Sequence, residues 1–238
     1  VRGNIHLTKV DSEYPDNKLT GATFEVYKDS NANGKLDSGD ELLGTLTEKE
    51  KGEYSMNDLF YGRYFVKETK APEGFVLDTG VYEVMIDTNG KTYEVENKAG
   101  VGFINDAMRG NLKIVKTSSD GKVKGFAFRI TGANGYDIIL ETNDKGEIFI
   151  DGLRIGDYTI SEVSNSASSM YVIPADKKAT VKIGSTTIVE MHNLLRDTPK
   201  TGDTTNLPLL YALAGLSAVG IAVCGVIGFK KKKKEDRN

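Results

Sequence analysis

Three residue types close three alternating runs in this chain of 238 residues, and they do so twice. Ile5, Leu7 and Lys9 fall on one face of a strand-like alternation, as do Leu112, Ile114 and Lys116. Tyr64, Val66 and Glu68 line up in the same way, as do Tyr158, Ile160 and Glu162. A third alternation ends in an amide, in Val101, Phe103 and Asn105 and again in Val189, Met191 and Asn193. One such polar residue alone reads as a snorkelling or rim-capping side chain. The same trio in both places points to a shared interior site. A buried charge is costly unless paired, and burial favours the neutral amine of lysine and the protonated form of glutamate. A neutral amine is a nucleophile, a carboxamide is an electrophile, and a protonated glutamate between them can carry protons while ammonia leaves. Lys9, Glu68 and Asn105, and likewise Lys116, Glu162 and Asn193, thus have the parts for one intramolecular amide bond each. Any role for Glu68 and Glu162 would be confined to carrying protons for that bond. Asn97, which follows Tyr93 and Val95 on another inward-compatible run, is the alternative to Asn105.

An internal repeat must position these residues. Arg2-Gly3-Asn4-Ile5-His6-Leu7-Thr8-Lys9 matches Arg109-Gly110-Asn111-Leu112-Lys113-Ile114-Val115-Lys116 at the offset that separates Lys9 from Lys116. Leu59 through Glu68 matches Leu153 through Glu162, and Lys51-Gly52-Glu53 matches Lys145-Gly146-Glu147. Both copies are short period-two runs, such as Phe24-Glu25-Val26-Tyr27 and Tyr158-Thr159-Ile160. They are punctuated by turn pairs such as Asn89-Gly90 and Asn134-Gly135. The fold class expected is all-β: two tandem Ig-like sandwiches over 1–108 and 109–196, then a linker over 197–206, a transmembrane helix over 207–229 and a basic cytoplasmic tail over 230–238. Because Arg2-Gly3 stands where Arg109-Gly110 holds the junction, a further domain is expected before Val1.

The stretches Leu7-Thr8-Lys9-Val10-Asp11, Leu19-Thr20-Gly21-Ala22-Thr23-Phe24 and Gly62-Arg63-Tyr64-Phe65-Val66-Lys67-Glu68-Thr69-Lys70-Ala71-Pro72-Glu73-Gly74-Phe75 resemble Cna protein B-type domains, the prealbumin-like (SpaA-like) modules of Gram-positive adhesin stalks and pilins. The resemblance covers Arg2 to Arg196. It implies a bond from Lys9 to a last-strand asparagine with Glu68 as catalyst, and from Lys116 to Asn193 with Glu162. It also favours Asn105 over Asn97, because members of the family end in Asn with Gly five residues on and the next Lys six after that, the spacing of Asn105, Gly110 and Lys116. After Glu162 the second copy reads Val163-Ser164-Asn165-Ser166-Ala167 and lacks the Ala-Pro-x-Gly element of the first.

A second chemistry is written in Asp29-Ser30-Asn31-Ala32-Asn33-Gly34-Lys35-Leu36-Asp37-Ser38-Gly39-Asp40. Oxygen side chains of Asp29, Asn31, Asn33, Asp37 and Asp40, with the Lys35 carbonyl and a turn at Gly34, suit calcium, the one cofactor expected here. The loop is an insertion relative to the second copy and resembles one in the calcium-binding B repeats of staphylococcal adhesins. Asp40 replaces the bidentate glutamate of an EF-hand.

The end of the chain carries three signals in order: Thr198-Pro199-Lys200-Thr201-Gly202, an uncharged run from Leu207 to Phe229, and the block from Lys230 to Lys234. Leu209 to Phe229, about 21 residues at about 1.5 Å each, is long enough to cross a bilayer core. The lysines place the C-terminus inside and everything before Leu207 outside. This order resembles the cell-wall sorting signal of Gram-positive surface proteins, with Thr198 where that family has Leu. The resemblance implies a sortase as partner, cleavage between Thr201 and Gly202, and a covalent link from Thr201 to peptidoglycan, with the membrane holding the chain before sorting.

Cutting after Gly202 removes six of the 31 basic and three of the 34 acidic residues, so the exported part is acidic and no nucleic-acid partner is expected. The single cysteine, Cys224, lies in the apolar run, so no disulfide or thiol nucleophile serves the remainder. His6 and His192 are the only histidines and no phosphate loop or zinc spacing appears, so no enzyme is expected. The function implied is an extracellular, wall-anchored stalk of an adhesin whose upstream head binds a host or matrix ligand. The alternative is a pilus subunit, for which Tyr14-Pro15-Asp16-Asn17-Lys18 loosely resembles a pilin motif.

Overall fold

The structure is a computed structural model and describes residues 1–196. The expected sorting motif, apolar span and basic tail lie outside the described residues. Nine strands form the first sandwich: β1 (Arg2–Asp11), β2 (Thr23–Lys28), β3 (Glu41–Thr45), β4 (Thr47–Glu50), β5 (Glu53–Phe60), β6 (Gly62–Lys70), β7 (Val81–Ile86), β8 (Thr92–Glu94) and β9 (Phe103–Asn105). Eight form the second: β10 (Arg109–Ser118), β11 (Ala127–Thr131), β12 (Asp137–Glu141), β13 (Glu147–Arg154), β14 (Gly156–Val163), β15 (Tyr171–Val172), β16 (Lys177–Val181) and β17 (Thr186–Leu195). A 3₁₀ turn at Ala133–Gly135 is the only helical element among the described residues.

In the first sandwich one sheet runs β4-β5-β1-β8, with β9 also pairing β1, and it faces a sheet in the order β3-β2-β6-β7. In the second, β13-β10-β17-β15 faces β12-β11-β14-β16. The period-two pattern sends alternate side chains of β1 and β10 inward, where Ile5, Leu7, Leu112 and Ile114 are fully buried. Phe24, Tyr54, Tyr64 and Phe103 complete one core, and Phe128, Tyr158, Tyr171 and Met191 the other. Each aromatic removes 150–250 Å² from water in general, so these few side chains supply much of the hydrophobic stabilisation.

The first and last strands run parallel and side by side. β10 pairs β17 without interruption from Asn111–Thr186 to Ser118–Asn193. The first sandwich departs from this: β8 pairs Asn4 to His6 and β9 pairs Lys9 to Asp11. Partners lie 88 residues apart at Asn4–Thr92 and 94 apart at Lys9–Phe103, so six extra residues loop out between the two pieces. Val101, expected inward on the last strand, sits instead in the turn that its N–H closes onto the Lys98 carbonyl. Val95 is buried there, its N–H bonded to the His6 carbonyl.

Gly52 and Gly146 fix the backbone of the two lysines. Their carbonyls accept the N–H groups of Lys9 and Lys116 at 2.7 and 2.8 Å. Both glycines have positive φ, 71° and 76°, and an added Cβ would lie 2.9 and 2.6 Å from the carbonyl oxygens of those same lysines. Only glycine lets the turn come this close.

The two sandwiches are joined by backbone and by charge. Val76 N–H donates to Asp106 O and Met108 N–H to Gly74 O, both at 2.8 Å, which ties the junction segment to the first sandwich, and Ile155 N–H of the second reaches across to Met108 O at 3.0 Å. Arg154 of β13 forks onto Asp11 at 2.6 and 2.8 Å and also reaches Glu13 at 2.9 Å, while Arg109 pairs with Glu13. Asp11 is fully buried and the Arg154 side chain is 16% exposed. Removing one partner of such a pair strands the other charge. Arg154→Ala is therefore expected to cost about 3–5 kcal/mol of stability, measured by denaturant unfolding of the intact chain. A loss under about 1 kcal/mol would show that water satisfies Asp11 and that the pair is a surface one.

Candidate cross-link site

Lys9 enters from β1, Asn105 from β9 beside it, and Glu68 from β6 in the facing sheet. The second sandwich repeats the arrangement with Lys116 on β10, Asn193 on β17 and Glu162 on β14. All six side chains are buried: Lys9, Glu68 and Asn193 are 0% exposed, Lys116 1%, Asn105 3% and Glu162 7%. The registers agree as well. Asn105 pairs with Asp11 and Asn193 with Ser118, each two residues past its lysine on the parallel neighbour.

The amide of Asn105 donates to Glu68 Oε2 at 2.8 Å and to the Val76 carbonyl at 2.5 Å. That of Asn193 donates to Glu162 Oε1 at 2.6 Å. In both sandwiches the other carboxyl oxygen of the glutamate and the amide oxygen of the asparagine are buried with no hydrogen-bond partner. Buried oxygens without partners are rare. A proton on the glutamate would let its free oxygen become a donor and lower that cost.

Lys9 Nζ donates to the Phe103 carbonyl at 2.9 Å and lies 5.5 Å from the Phe103 ring centre. Lys116 Nζ donates to the Thr117 carbonyl and sits 4.0 Å from the ring centre of Phe126. Phe24 stands directly across from Glu68, and Phe128 across from Glu162, on neighbouring antiparallel strands. An aromatic wall thus lines the carboxyl in each site. Burial pulls the Lys9 amine down to about 8, outweighing the attraction of Glu68, Asp78 and Asp11, and it lowers Lys116 against Glu162 and Asp120. The same burial pushes the Glu68 and Glu162 carboxyls above the usual carboxylate range. Amine and acid are each driven toward the neutral form that amide chemistry requires.

Asn97 takes another place. Its amide bonds the Asp78 carboxylate at 2.6 Å and both backbone groups of Ile104, at 2.6 and 2.8 Å. The structure brings Asn105, not Asn97, to Glu68. Asp78 and Tyr82 beside the site carry no signal in the sequence, because the second copy has β15 between β14 and β16 where Asp78 precedes β7, and Lys177 stands opposite Ile160 where Tyr82 stands opposite Val66. Phe24 reads there only as part of a strand, although its repeat at Phe128 marks it. His6 lies between Glu53 and Glu94 at 2.9 and 2.7 Å, and His192 contacts Thr117; both are strand residues away from the trio.

The Asp29–Asp40 loop closes through its own hydrogen bonds. Asp29 accepts the N–H groups of Asn33 and Gly34 at 3.1 Å each, and Asp40 those of Ser30 and Asp37 at 3.1 and 2.9 Å. Asn31 and Asn33 turn their amide nitrogens to Asp37, at 3.0 and 2.6 Å. Among the described residues no group of three or more His, Cys, Asp or Glu is gathered for a metal. The donor set is all oxygen, as a hard cation needs, once both amides rotate to present Oδ1.

Comparison with known proteins places these sites in context. Residues 3–99 and 110–194 match the family described as SpaA, prealbumin-like fold domain. The chain is 26% identical to the trypsin-resistant surface T6 protein of Streptococcus pyogenes serotype M6, over 68% of this chain and 34% of that one. It also resembles the Bacillus anthracis TIE protein, at 26% identity and a TM-score of 0.61, over 81% of this chain and 34% of that one. A C-terminal fragment of the pilus adhesin SpaC from Lactobacillus rhamnosus GG shares the fold at 15% identity and a TM-score of 0.50, covering 82% of this chain and 99% of the fragment. The chain spans about a third of the length of the first two.

A bond that needs a neutral amine and a protonated acid is expected to form with a bell-shaped pH dependence. Its rate should fall as pH drops through about 8, where Lys9 gains its proton, and fall on the other side as pH rises through the raised range in which Glu68 loses its own. Chain refolded from unreacted inclusion bodies at graded pH and followed by intact mass would show this. A rate independent of pH would contradict the assigned protonation states.

Proposed function

Because the chain belongs to the SpaA prealbumin-like fold domain family, we propose that it is a structural stalk of a bacterial surface adhesin, each sandwich locked by one Lys–Asn isopeptide bond. The observation that carries this reading is the twofold burial of lysine, glutamate and asparagine at matching registers. Lys9 Nζ, as the free amine, attacks Cγ of Asn105. Glu68 lends its proton to the carboxamide oxygen, takes the proton released by the amine, passes that to the departing nitrogen, and recovers its own from the oxygen as the carbonyl re-forms. One C–N bond forms, one breaks, ammonia leaves and Glu68 ends protonated as it began. Lys116, Glu162 and Asn193 do the same in the second sandwich.

The tie joins the first strand to the last and closes a loop of most of a domain. On the chain-entropy account such a closure stabilises by roughly 4–5 kcal/mol. Likeness to a streptococcal surface protein supports an extracellular, wall-associated location. Attachment by a sortase through Thr201, after passage through the membrane on the 207–229 span, completes the proposal. A pilus subunit is the alternative. Lys18, in its pilin-like stretch, is paired to Glu53 and half exposed.

The intact chain is expected to weigh two ammonia less than its sequence. Glu68→Gln and Glu162→Gln should each restore one ammonia, and the double variant both. A wild-type mass equal to the sequence mass would refute the bonds. Calcium at Asp29, Asn31, Asn33, Lys35, Asp37 and Asp40 is the remaining part of the reading, supported by the oxygen donor set. Added calcium should raise the unfolding temperature of the first sandwich and leave the second unchanged, whereas an unmoved first transition removes the ion from the account.

A further inference from the structure

The six residues looped out of the last strand of the first sandwich leave Asn105 on a three-residue strand, β9, where Asn193 ends a long unbroken pairing. Something must hold β9 as firmly as continuous strand holds its counterpart. Asn97, at the start of the loop, does it with one side chain. Its Oδ1 accepts the Ile104 N–H at 2.6 Å and its Nδ2 donates to the Ile104 carbonyl at 2.8 Å, the two bonds a neighbouring strand would make. Ile104 pairs with Val10 on its other side. It lies between Phe103, whose carbonyl holds Lys9 Nζ, and the acceptor Asn105.

Asp78 stands behind Asn97 and joins it to the acid. Its Oδ2 accepts the Asn97 amide at 2.6 Å and the Tyr82 hydroxyl at 2.8 Å, and its Oδ1 accepts the Gly80 N–H at 2.6 Å. Its own backbone N–H donates to Glu68 Oε2 at 2.8 Å, the oxygen that also receives the Asn105 amide. Tyr82 packs edge-on against Phe103, with ring centres 5.0 Å apart. A cavity of about 290 Å³ opens beside these groups, lined by Val76, Asp78, Tyr82, Asn97 and Asn105 among others.

We infer that Asp78 is a positioning residue for the first bond: its carboxylate clamps Asn97, Asn97 splints β9, and its N–H aims the Glu68 carboxyl at the amide of Asn105. This rests on the isopeptide reading and adds to it a device that the second sandwich, with its continuous β17, does without. Asp78 also acts by charge. The anions facing Lys9 are Glu68 from the opposite sheet, Asp78 from the segment after β6, and Asp11 from its own strand, the last of these already paired with Arg154. Asp78 therefore helps keep Lys9 protonated while it holds the acceptor in place. Its two effects on the rate have opposite sign.

They separate by substitution. In refolding from unreacted inclusion bodies followed by intact mass, Asp78→Ala and Asn97→Ala should slow loss of the first ammonia by on the order of tenfold or more, as misplaced reactants do. The second sandwich should react at its usual rate and serve as the internal clock. Asp78→Asn keeps an oxygen for Asn97 and the backbone N–H for Glu68 but removes the charge. It should react near the unmodified rate at its optimum, with the acid limb of the pH profile moved to lower pH. That shift is one a merely structural role would not produce, and it remains readable if Asp78→Ala fails to fold. Equal rates for Asp78→Ala and the unmodified chain, or an Asp78→Asn profile that does not move, would overturn the inference while leaving the bond itself intact. An unmodified chain that loses no ammonia would overturn the underlying reading instead.

Discussion

The structure turns on the cost of keeping an ammonium and a carboxylate out of water in a box walled by aromatic rings. One pKa unit corresponds to about 1.4 kcal/mol, so drawing Lys9 down to about 8 means that lost hydration outweighs the pull of three nearby anions by about 3 kcal/mol. Were the attraction larger, the site would be an ordinary buried ion pair and the amine would stay inert. Phe24 beside Glu68 and Phe103 beneath Lys9 remove the water that would otherwise stabilise charge, and carbonyl oxygens are the amine's hydrogen-bond acceptors. Carbonyl acceptors favour the ammonium, so it is burial that drives the proton off, while the same carbonyls can still accept from the neutral amine and keep the nitrogen in place.

The parallel pairing of first and last strands gives a tie at this place its mechanical sense. Tension enters at the start of β1 and leaves at the end of β9, so the two strands are pulled in opposite directions along their shared ladder. In that geometry many hydrogen bonds carry the load together, and a covalent cross-link near the far end of β1 would stop any sliding that begins. Two residues beyond Lys9, Asp11 passes the load to Arg154 of the next sandwich through a buried, two-pronged pair. A cross-link at Lys9 would thus share one short stretch of one strand with the clamp at Asp11, and a stalk built this way would gain stiffness at the joint as well as strength within the module.

The sequence made much of this legible because alternation and repetition are one-dimensional signals. Ile5-Leu7-Lys9 and its copy predict which face is buried without any knowledge of the partner strand, and the twofold recurrence of a polar terminus raises the trio above a rim residue. The misplacement of Val101 has a physical cause. An alternation of two can be carried past a loop-out of six residues, an even number, without losing phase, so Val101 reads as inward although Val95 fills that place in the core. Asp78 and the Arg154–Asp11 clamp are invisible in the sequence for another reason. They depend on side chains from separate segments meeting in space, and neither has an analogue in the other copy by which repetition could flag it.

That asymmetry bears on how the two sandwiches reach the same chemistry. The second keeps β17 whole, so Asn193 is held by the ladder and its lysine is steadied by the faces of Phe126 and Tyr171. The first gives up strand continuity and replaces it with side-chain hydrogen bonds centred on a carboxylate. A ladder is insensitive to pH, whereas a carboxylate clamp is not: protonating Asp78 would weaken its hold on Asn97, because a neutral carboxyl is the poorer acceptor, and remove a charge that opposes loss of the Lys9 proton. Burial works to raise Asp78, but hydrogen bonds from Asn97, Gly80 and Tyr82 together outweigh it and hold the carboxyl below the usual carboxylate range. The clamp therefore stays ionised through the range in which Glu68 is still protonated. The order of these two ionisations, acid clamp first and catalytic acid later, is what lets the interrupted strand still present Asn105 to a neutral amine.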